Sequence, residues 1–185
     1  VKGAYWDSEV KRAQVDGQSG YPIFTRKPNT DVSYQACARR LLDATDAIYP
    51  MFATHNAQTI AAIHRMASTL LPPEEGARRA DEGTGARELS AQKAYEFQKL
   101  HGMGDDLYAE VIPTDRLDVP CRVYAPVGSH EDLLPYLVRR LLENGANSSF
   151  VNRITDESVS IDDLIHDPIE TVSAFDTLPH PRIPL

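Results

Sequence analysis

The chain has little cysteine, no excess of basic charge and no long apolar run, and each shortage removes a class of function. Two cysteines, Cys37 and Cys121, among 185 residues are too few for a disulfide framework or a thiolate metal site. They fit a reducing, cytoplasmic compartment and read as ordinary buried thiols. Nineteen Lys and Arg against 27 Asp and Glu leave a net charge of −8, so no basic field holds a phosphate backbone and no nucleic-acid binding is expected of this segment. No apolar run reaches the roughly 20 residues that span a bilayer. The opening VKGAYW has neither an initiator Met nor a signal segment, which predicts a piece of a longer polypeptide. Motifs are missing too. His55 and His64 lie nine apart with no acidic residue between them, and HExxH does not occur, so no metal site is predicted. HGMGDD at His101–Asp106 lacks the third glycine of a dinucleotide fingerprint. GxSxG and GxxxxGK[ST] are absent, leaving acyl-enzyme and nucleoside-triphosphate chemistry unsupported.

What is present is an alternation. With 42% hydrophobic and 25% charged residues the chain can build one domain with a real core. Apolar runs at Val1–Trp6, Ile48–Thr54, Tyr95–His101 and Cys121–Ala125 read as strands. Gly17–Lys27 is turn-rich. Asp31–Thr45 has helical spacing, with Asn29, Thr30 or Asp31 as N-cap. Asn56–Met66 is a second helix capped by Asn56, and Asp105–Val111 a short third. Four strand–helix units with continuous apolar strands predict an α/β fold with a parallel sheet, half of a (β/α)8 TIM-type barrel. Tyr5, Trp6, Thr54, His55, Leu100, His101 and Tyr124 sit where those strands end, which in a barrel is the active-site face. Leu70–Lys93 is charged, without aromatics, and reads as a mobile surface loop. From Ile154 onward the chain is acidic, with a short helix expected near Ile161–His166 and a proline-rich end, LPHPRIPL, suited to an extended linker toward further chain.

The most informative stretch is YAPVGSHEDLLPYLVRRLLENGANSSFVNR, Tyr124 to Arg153. At 3.6 residues per turn, Leu133, Leu134, Leu137, Val138, Leu141 and Leu142 form one apolar arc, predicted to face a core. Tyr136, Arg139, Arg140 and Glu143 gather opposite. Two planar guanidinium forks suit a small carboxylate, with Glu143 holding them in place; the alternative is a solvated, salt-bridged outer face. Pro135 means that the helix either begins near Asp132 or kinks.

VKGAYWDSEVKRAQ, YPIFTRK, YPMFATHNAQT, YEFQKLHGMG, the arginine stretch and LPHPRIPL resemble, in order, the proline dehydrogenase domain of the bifunctional proline utilization A flavoenzymes. The resemblance covers nearly all of the chain outside residues 70–93. It implies a barrel of which this chain supplies the fifth to eighth strands within residues 1–153, with 154–185 trailing toward a further domain. It implies FAD, and oxidation of L-proline to Δ1-pyrroline-5-carboxylate by hydride transfer to flavin N5, the first step of proline catabolism to glutamate. Arg139 and Arg140 match the family's clamp on the proline carboxylate. Tyr124 matches the tyrosine on the substrate ring, Tyr136 and Glu143 its helical neighbours, Leu100 an apolar wall and Tyr5 another pocket tyrosine. Lys2, Gly3, Ala4 and Trp6 match the strand along the isoalloxazine. Thr25, Arg26 and Lys27 match phosphate and ribose contacts, Thr54, His55 and Asn56 a second flavin-contacting loop, and Phe150 a neighbour of the adenine. The implied partners are L-proline, a membrane quinone reached by peripheral contact from the cytoplasm, and the rest of one polypeptide, including an aldehyde dehydrogenase domain. The family's acidic residue and lysine near substrate, and its arginine near flavin N5, have no counterpart in this stretch. A catalytically silent barrel segment serving as scaffold is the competing reading.

Overall fold

The computed structural model of the chain describes residues 6–71, 94–144, 153–154 and 156–183. Two compact units divide it, one of Val1–Cys37 with Arg139–Leu185 and the other Ala38–Val138.

The second unit carries the sheet. Strands β1 (Met51–Ala53), β2 (Glu96–Leu100) and β3 (Cys121–Tyr124) are all parallel, in the order β1-β2-β3. The predicted parallel α/β arrangement is therefore present, with shorter strands than the apolar runs suggested. Phe52 pairs with Phe97 and Leu100 with Tyr124 in register. Phe52, Tyr95 and Phe97 form an aromatic cluster, with centroids 5.7 to 6.3 Å apart in tilted or edge-on geometry, the offset arrangements that ring quadrupoles favour. Helix α3 (Ala57–Leu70) buries Thr59, Ile60, Ile63 and Ala67, one face of a 3.6-residue repeat. The His64 ring lies 3.2 Å from the Tyr95 hydroxyl and ties that helix to the entrance of β2. Asn56 caps α3 as expected, its side-chain oxygen accepting from the amides of Gln58 and Thr59. A short helix α4 (Asp105–Ala109) follows β2 and contributes the fully buried Tyr108.

In the other unit, helix α1 (Trp6–Val15) stands where no helix was predicted. Among its described side chains, Val10 and Ala13, three apart, are buried. It closes on Gly17 at φ +63°, with Gln18 N–H donating to the Ala13 carbonyl and Gly17 N–H to that of Gln14. That is the double bond pattern of a glycine-terminated helix, available at low cost because glycine has no Cβ. Helix α2 (Lys27–Leu42) starts four residues before the predicted Asp31, because Pro28 in its first turn has φ already set for a helix. Asn29, Thr30 and Asp31 thus lie inside the helix rather than capping it. Asn29 is buried and donates to the Leu178 carbonyl. Two short helices, α6 (Ile161–Ile165) and α7 (Pro168–Ser173), begin on the caps Ser160 and Asp167; α7 was not predicted.

Helix α5 (His130–Asn144) begins before Asp132 and runs through Pro135. Ser129 fixes its start, its Oγ accepting from the Asp132 amide while donating to the Asp132 carboxylate. Most of the arc predicted to face a core is open among the described residues, Leu133 alone being half-buried. Leu134, Leu137 and Val138 are about half exposed, and Leu141 and Leu142 are each 70% exposed. A helical wheel identifies an apolar side, but what covers that side is set by tertiary partners. Cys37 is likewise exposed on α2, not buried, and both thiols are free. Most of the 70–93 segment lies outside the described residues, although α3 reaches Leu70.

Replacing Asn56 with Ala is expected to lower the opening free energy of α3 by about 1 kcal/mol, and Asn56→Asp to change it little. Hydrogen exchange over residues 57–70 in the full-length protein measures both.

Candidate active site

The carboxyl ends of the three strands bring one set of the predicted residues together. Thr54, His55 and Asn56 leave β1, Leu100 and His101 end β2, and Tyr124 ends β3. Leu100 and Tyr124 are direct register partners, and the His101 amide donates to the Tyr124 carbonyl at 2.8 Å. The Leu100 amide donates to Nε2 of His55 at 3.3 Å, which places the proton of the neutral ring on Nδ1. Thr54 Oγ1 accepts from the Asn56 amide and turns the chain into the cap of α3. Tyr124 stands partly open at the edge while Leu100 is buried beneath it.

Behind these ends lies α4. Gly104, at φ +69°, opens it, and a Cβ there would come within 3.0 Å of the His55 ring, so a side chain at this position would be strained and crowded together. His55 meets Tyr108 edge-on at 6.4 Å. Lys99 pairs with Asp105, its ammonium 5.8 Å from the Tyr108 ring centroid. The hydrogen bond and charge of Lys99 hold the exposed Asp105 carboxyl below its usual range. Burial pushes the Cys121 thiol up, with Lys99 opposing.

A second set gathers at the start of α2. Thr25 is buried, and its hydroxyl oxygen accepts from the His180 amide at 2.8 Å. Arg26 donates to the Pro179 carbonyl at 3.2 Å and lies 4.1 Å over the Phe175 ring. Lys27 pairs with Asp31 at 2.6 Å. A cavity of about 420 Å³ opens beside Thr25, lined by Tyr21, Pro22, Ile23, Phe24, Leu178 and Pro179. The proline-rich end of the chain is thus anchored on the residues read as phosphate contacts. Tyr136, Arg139 and Arg140 share α5, with Tyr136 and Arg140 half-buried and Arg139 exposed.

Lys2, Gly3, Ala4, Tyr5 and Phe150 lie outside the described residues, as do the side chains of Trp6 and Glu143. The backbone of Trp6 opens α1, so this residue is helical rather than the end of a strand; the helix-forming run Glu9, Lys11, Arg12, Ala13, Gln14 prevails there over the apolar start. Among the described residues no three His, Cys, Asp or Glu side chains cluster as a metal site would require, and no helix is long and apolar enough to cross a membrane.

Two features escaped the sequence reading. At the amino ends of the strands, the nearly buried Glu96 takes an ion pair from Arg122 at 3.1 Å, and the placement away from the carboxyl ends marks it as a structural pair. Its charge, after burial, raises the Tyr49 pKa. Tyr108 is the other, and nothing in the spacing of DDLYA singles it out.

A parallel α/β scaffold with polar and aromatic side chains collected at the strands' carboxyl ends is the class this geometry defines. Residues 1–153 match the family model "Proline dehydrogenase", and the chain belongs to that family. It is 53% identical over 194 residues to the bifunctional protein PutA of Escherichia coli K12, covering all of this chain and 13% of that protein. It is 54% identical over 187 residues to PutA of Rhizobium meliloti, covering 14% of that protein. The crystal structure of a mutant proline utilization A from Bradyrhizobium japonicum superposes with a TM-score of 0.81 at 49% identity, over the whole of this chain and 17% of the other. The chain therefore spans only about an eighth of the length of these curated relatives.

The Lys99–Asp105 pair makes a pH prediction. Because Asp105 titrates lower when folded, the pair supports the fold above the unfolded carboxyl pKa, and that support is lost as pH falls through the folded value. In Lys99→Met the Asp105 carboxyl is expected to titrate upward toward its ordinary range, followed by NMR of the labelled carboxyl carbon.

Proposed function

We propose that this chain is the second half of an FAD-dependent proline dehydrogenase barrel that oxidises L-proline to Δ1-pyrroline-5-carboxylate, within a polypeptide that also carries an aldehyde dehydrogenase domain. The observation that carries the reading is the juxtaposition at the carboxyl edge. Leu100 and Tyr124, the substrate wall and ring contact of the family pattern, are register partners, and the Leu100 amide is bonded to His55 of the flavin-loop pattern. In this assignment the strands are the sixth to eighth of the barrel, the run before Trp6 supplies the fifth, and residues 154–185 trail toward the next domain. The exposed leucine arc of α5 fits a helix completed by protein outside this chain.

The donor types suit a dinucleotide, which would compete with the contacts that Arg26 makes to Pro179 and Lys27 to Asp31. A hydroxyl at Thr25 and cations at Arg26 and Lys27 stand at the positive end of the 16-residue α2, which has no acidic residue in its first turn. FAD, when bound, supplies at N5 the hydride acceptor that no amino-acid side chain provides. The chain's own residues do the rest. Arg139 and Arg140 neutralise and orient the proline carboxylate. Tyr124, Tyr136 and Leu100 wall the ring and exclude water, so that the C5–H bond is presented in one direction and a diffusive encounter becomes an oriented one. As hydride leaves C5, the ring nitrogen gives up its proton and the C5–N bond becomes double. A quinone at a membrane surface would serve as the final electron acceptor.

Two measurements test this. The full-length protein is expected to show a flavin absorption band that bleaches anaerobically on adding L-proline. An Arg139→Met, Arg140→Met double variant should retain the band but bleach at least 100-fold more slowly at equal proline, the scale expected when two charge-assisted contacts of about 1.5–3 kcal/mol each are lost. A missing band, or one indifferent to proline, would leave the scaffold reading in front. The isolated 185-residue chain, with β1 and β3 as sheet edges and the α5 arc open, is expected to lack a cooperative thermal transition by calorimetry.

A further inference from the structure

Tyr108, on α4 behind the strand ends, is enclosed by protein. Its side chain is 1% exposed. The hydroxyl donates a shared hydrogen bond to two backbone carbonyls, that of Thr54 just past β1 at 2.8 Å and that of Gln98 within β2 at 3.1 Å. Gln98 is the last β1–β2 register partner, opposite Ala53, and Thr54 is the first residue past that ladder. The hydroxyl thus extends the connection past the end of the ladder, where the two chains would otherwise diverge. The same ring packs edge-on against His55, and His55 accepts the Leu100 amide. Gly104 leaves room for that contact, and Lys99 with Asp105 holds the base of α4.

We propose that Tyr108 is a positioning residue whose hydroxyl sets the separation of the Thr54–Asn56 loop and the Gln98–His101 strand end, and thereby the placement of cofactor against substrate; this rests on the functional reading above. The buried hydroxyl joins the first carbonyl past β1 to that of the last β1–β2 register partner, so losing it removes a tie between the two segments and takes one donor from the Thr54 carbonyl. The side chain touches neither substrate nor cofactor in this account. Its effect passes through the two backbone segments, and errors of an ångström in such placement are enough to slow an oriented transfer.

The test is Tyr108→Phe in the full-length protein, which removes one oxygen and keeps the ring. Val119→Ala, a buried substitution in the same unit at the entrance of β3, serves as a control for general destabilisation. Expected in Tyr108→Phe are amide exchange at least threefold faster over residues 54–56 and 98–101, and anaerobic flavin reduction about tenfold slower at saturating proline, with proline affinity changed less than twofold. Val119→Ala should melt earlier without slowing reduction. Wild-type exchange over both segments would overturn the proposal. So would faster exchange with an unchanged reduction rate, which would make the hydroxyl structural only. If the unmodified protein holds no flavin that proline bleaches, the functional reading falls and with it the placement of cofactor, while the exchange result still decides whether the hydroxyl ties the two segments.

Discussion

Parallel pairing is the constraint on which the rest of this structure depends. Strands that run the same way cannot be joined by a tight turn, so each is followed by a crossover that returns the chain to its start. Helix α3 lies between β1 and β2, and α4 with its following turns lies between β2 and β3. A consequence is that every strand finishes on the same edge. Thr54, Leu100 and Tyr124, separated by 46 and 24 positions in the chain, become neighbours without any contact designed between them. The edge is also where the ladder's hydrogen bonds run out, so it has free backbone groups for side chains to engage. His55, Thr54 and Tyr108 do so.

The opposite edge shows what a purely structural use of charge looks like. Glu96 is almost fully buried and would be costly to leave alone, and the Arg122 guanidinium two register positions along compensates it. The core between the edges is aromatic, and Phe52, Tyr95 and Phe97 close against one another around the middle strand. Rigidity in that middle layer is what allows the carboxyl edge to hold polar groups in fixed directions, since close-packed interiors transmit displacement instead of absorbing it.

Element type was more legible in the sequence than boundaries or surroundings. Asn56 announced a cap because a short polar acceptor before an alanine- and isoleucine-rich run has few other uses, and the continuous apolar runs around Phe52 and Phe97 announced buried parallel strands. Helix α1 was missed because VKGAYW reads as a strand when only its apolar residues are counted, although Glu9 to Gln14 behind it are good helix formers ended by Gly17. The start of α2 was misjudged because Asn29 looks like a cap; its real partner, Leu178, is 149 positions away and leaves no local trace. Tyr108 was illegible for the same reason, since its acceptors at Thr54 and Gln98 are set by register, and register is not written in any one segment.

Helix α5 carries this point further. Periodicity divides it into an apolar and a polar side and predicts that the apolar side faces inward. In the structure the leucines on that side are largely open, while Tyr136 and Arg140 on the polar side are half-buried. A soluble surface helix does the reverse, because burying a guanidinium costs desolvation that exposing leucine does not recover. Arg139, on the same side, is exposed, and Tyr136, Arg139 and Arg140 each engage another group of the chain. Contacts within the chain thus already compensate part of the burial of that side, and the arc of leucines is the side left without cover among the described residues. The wheel supplied the two sides correctly; which one looks inward is decided by what each side meets.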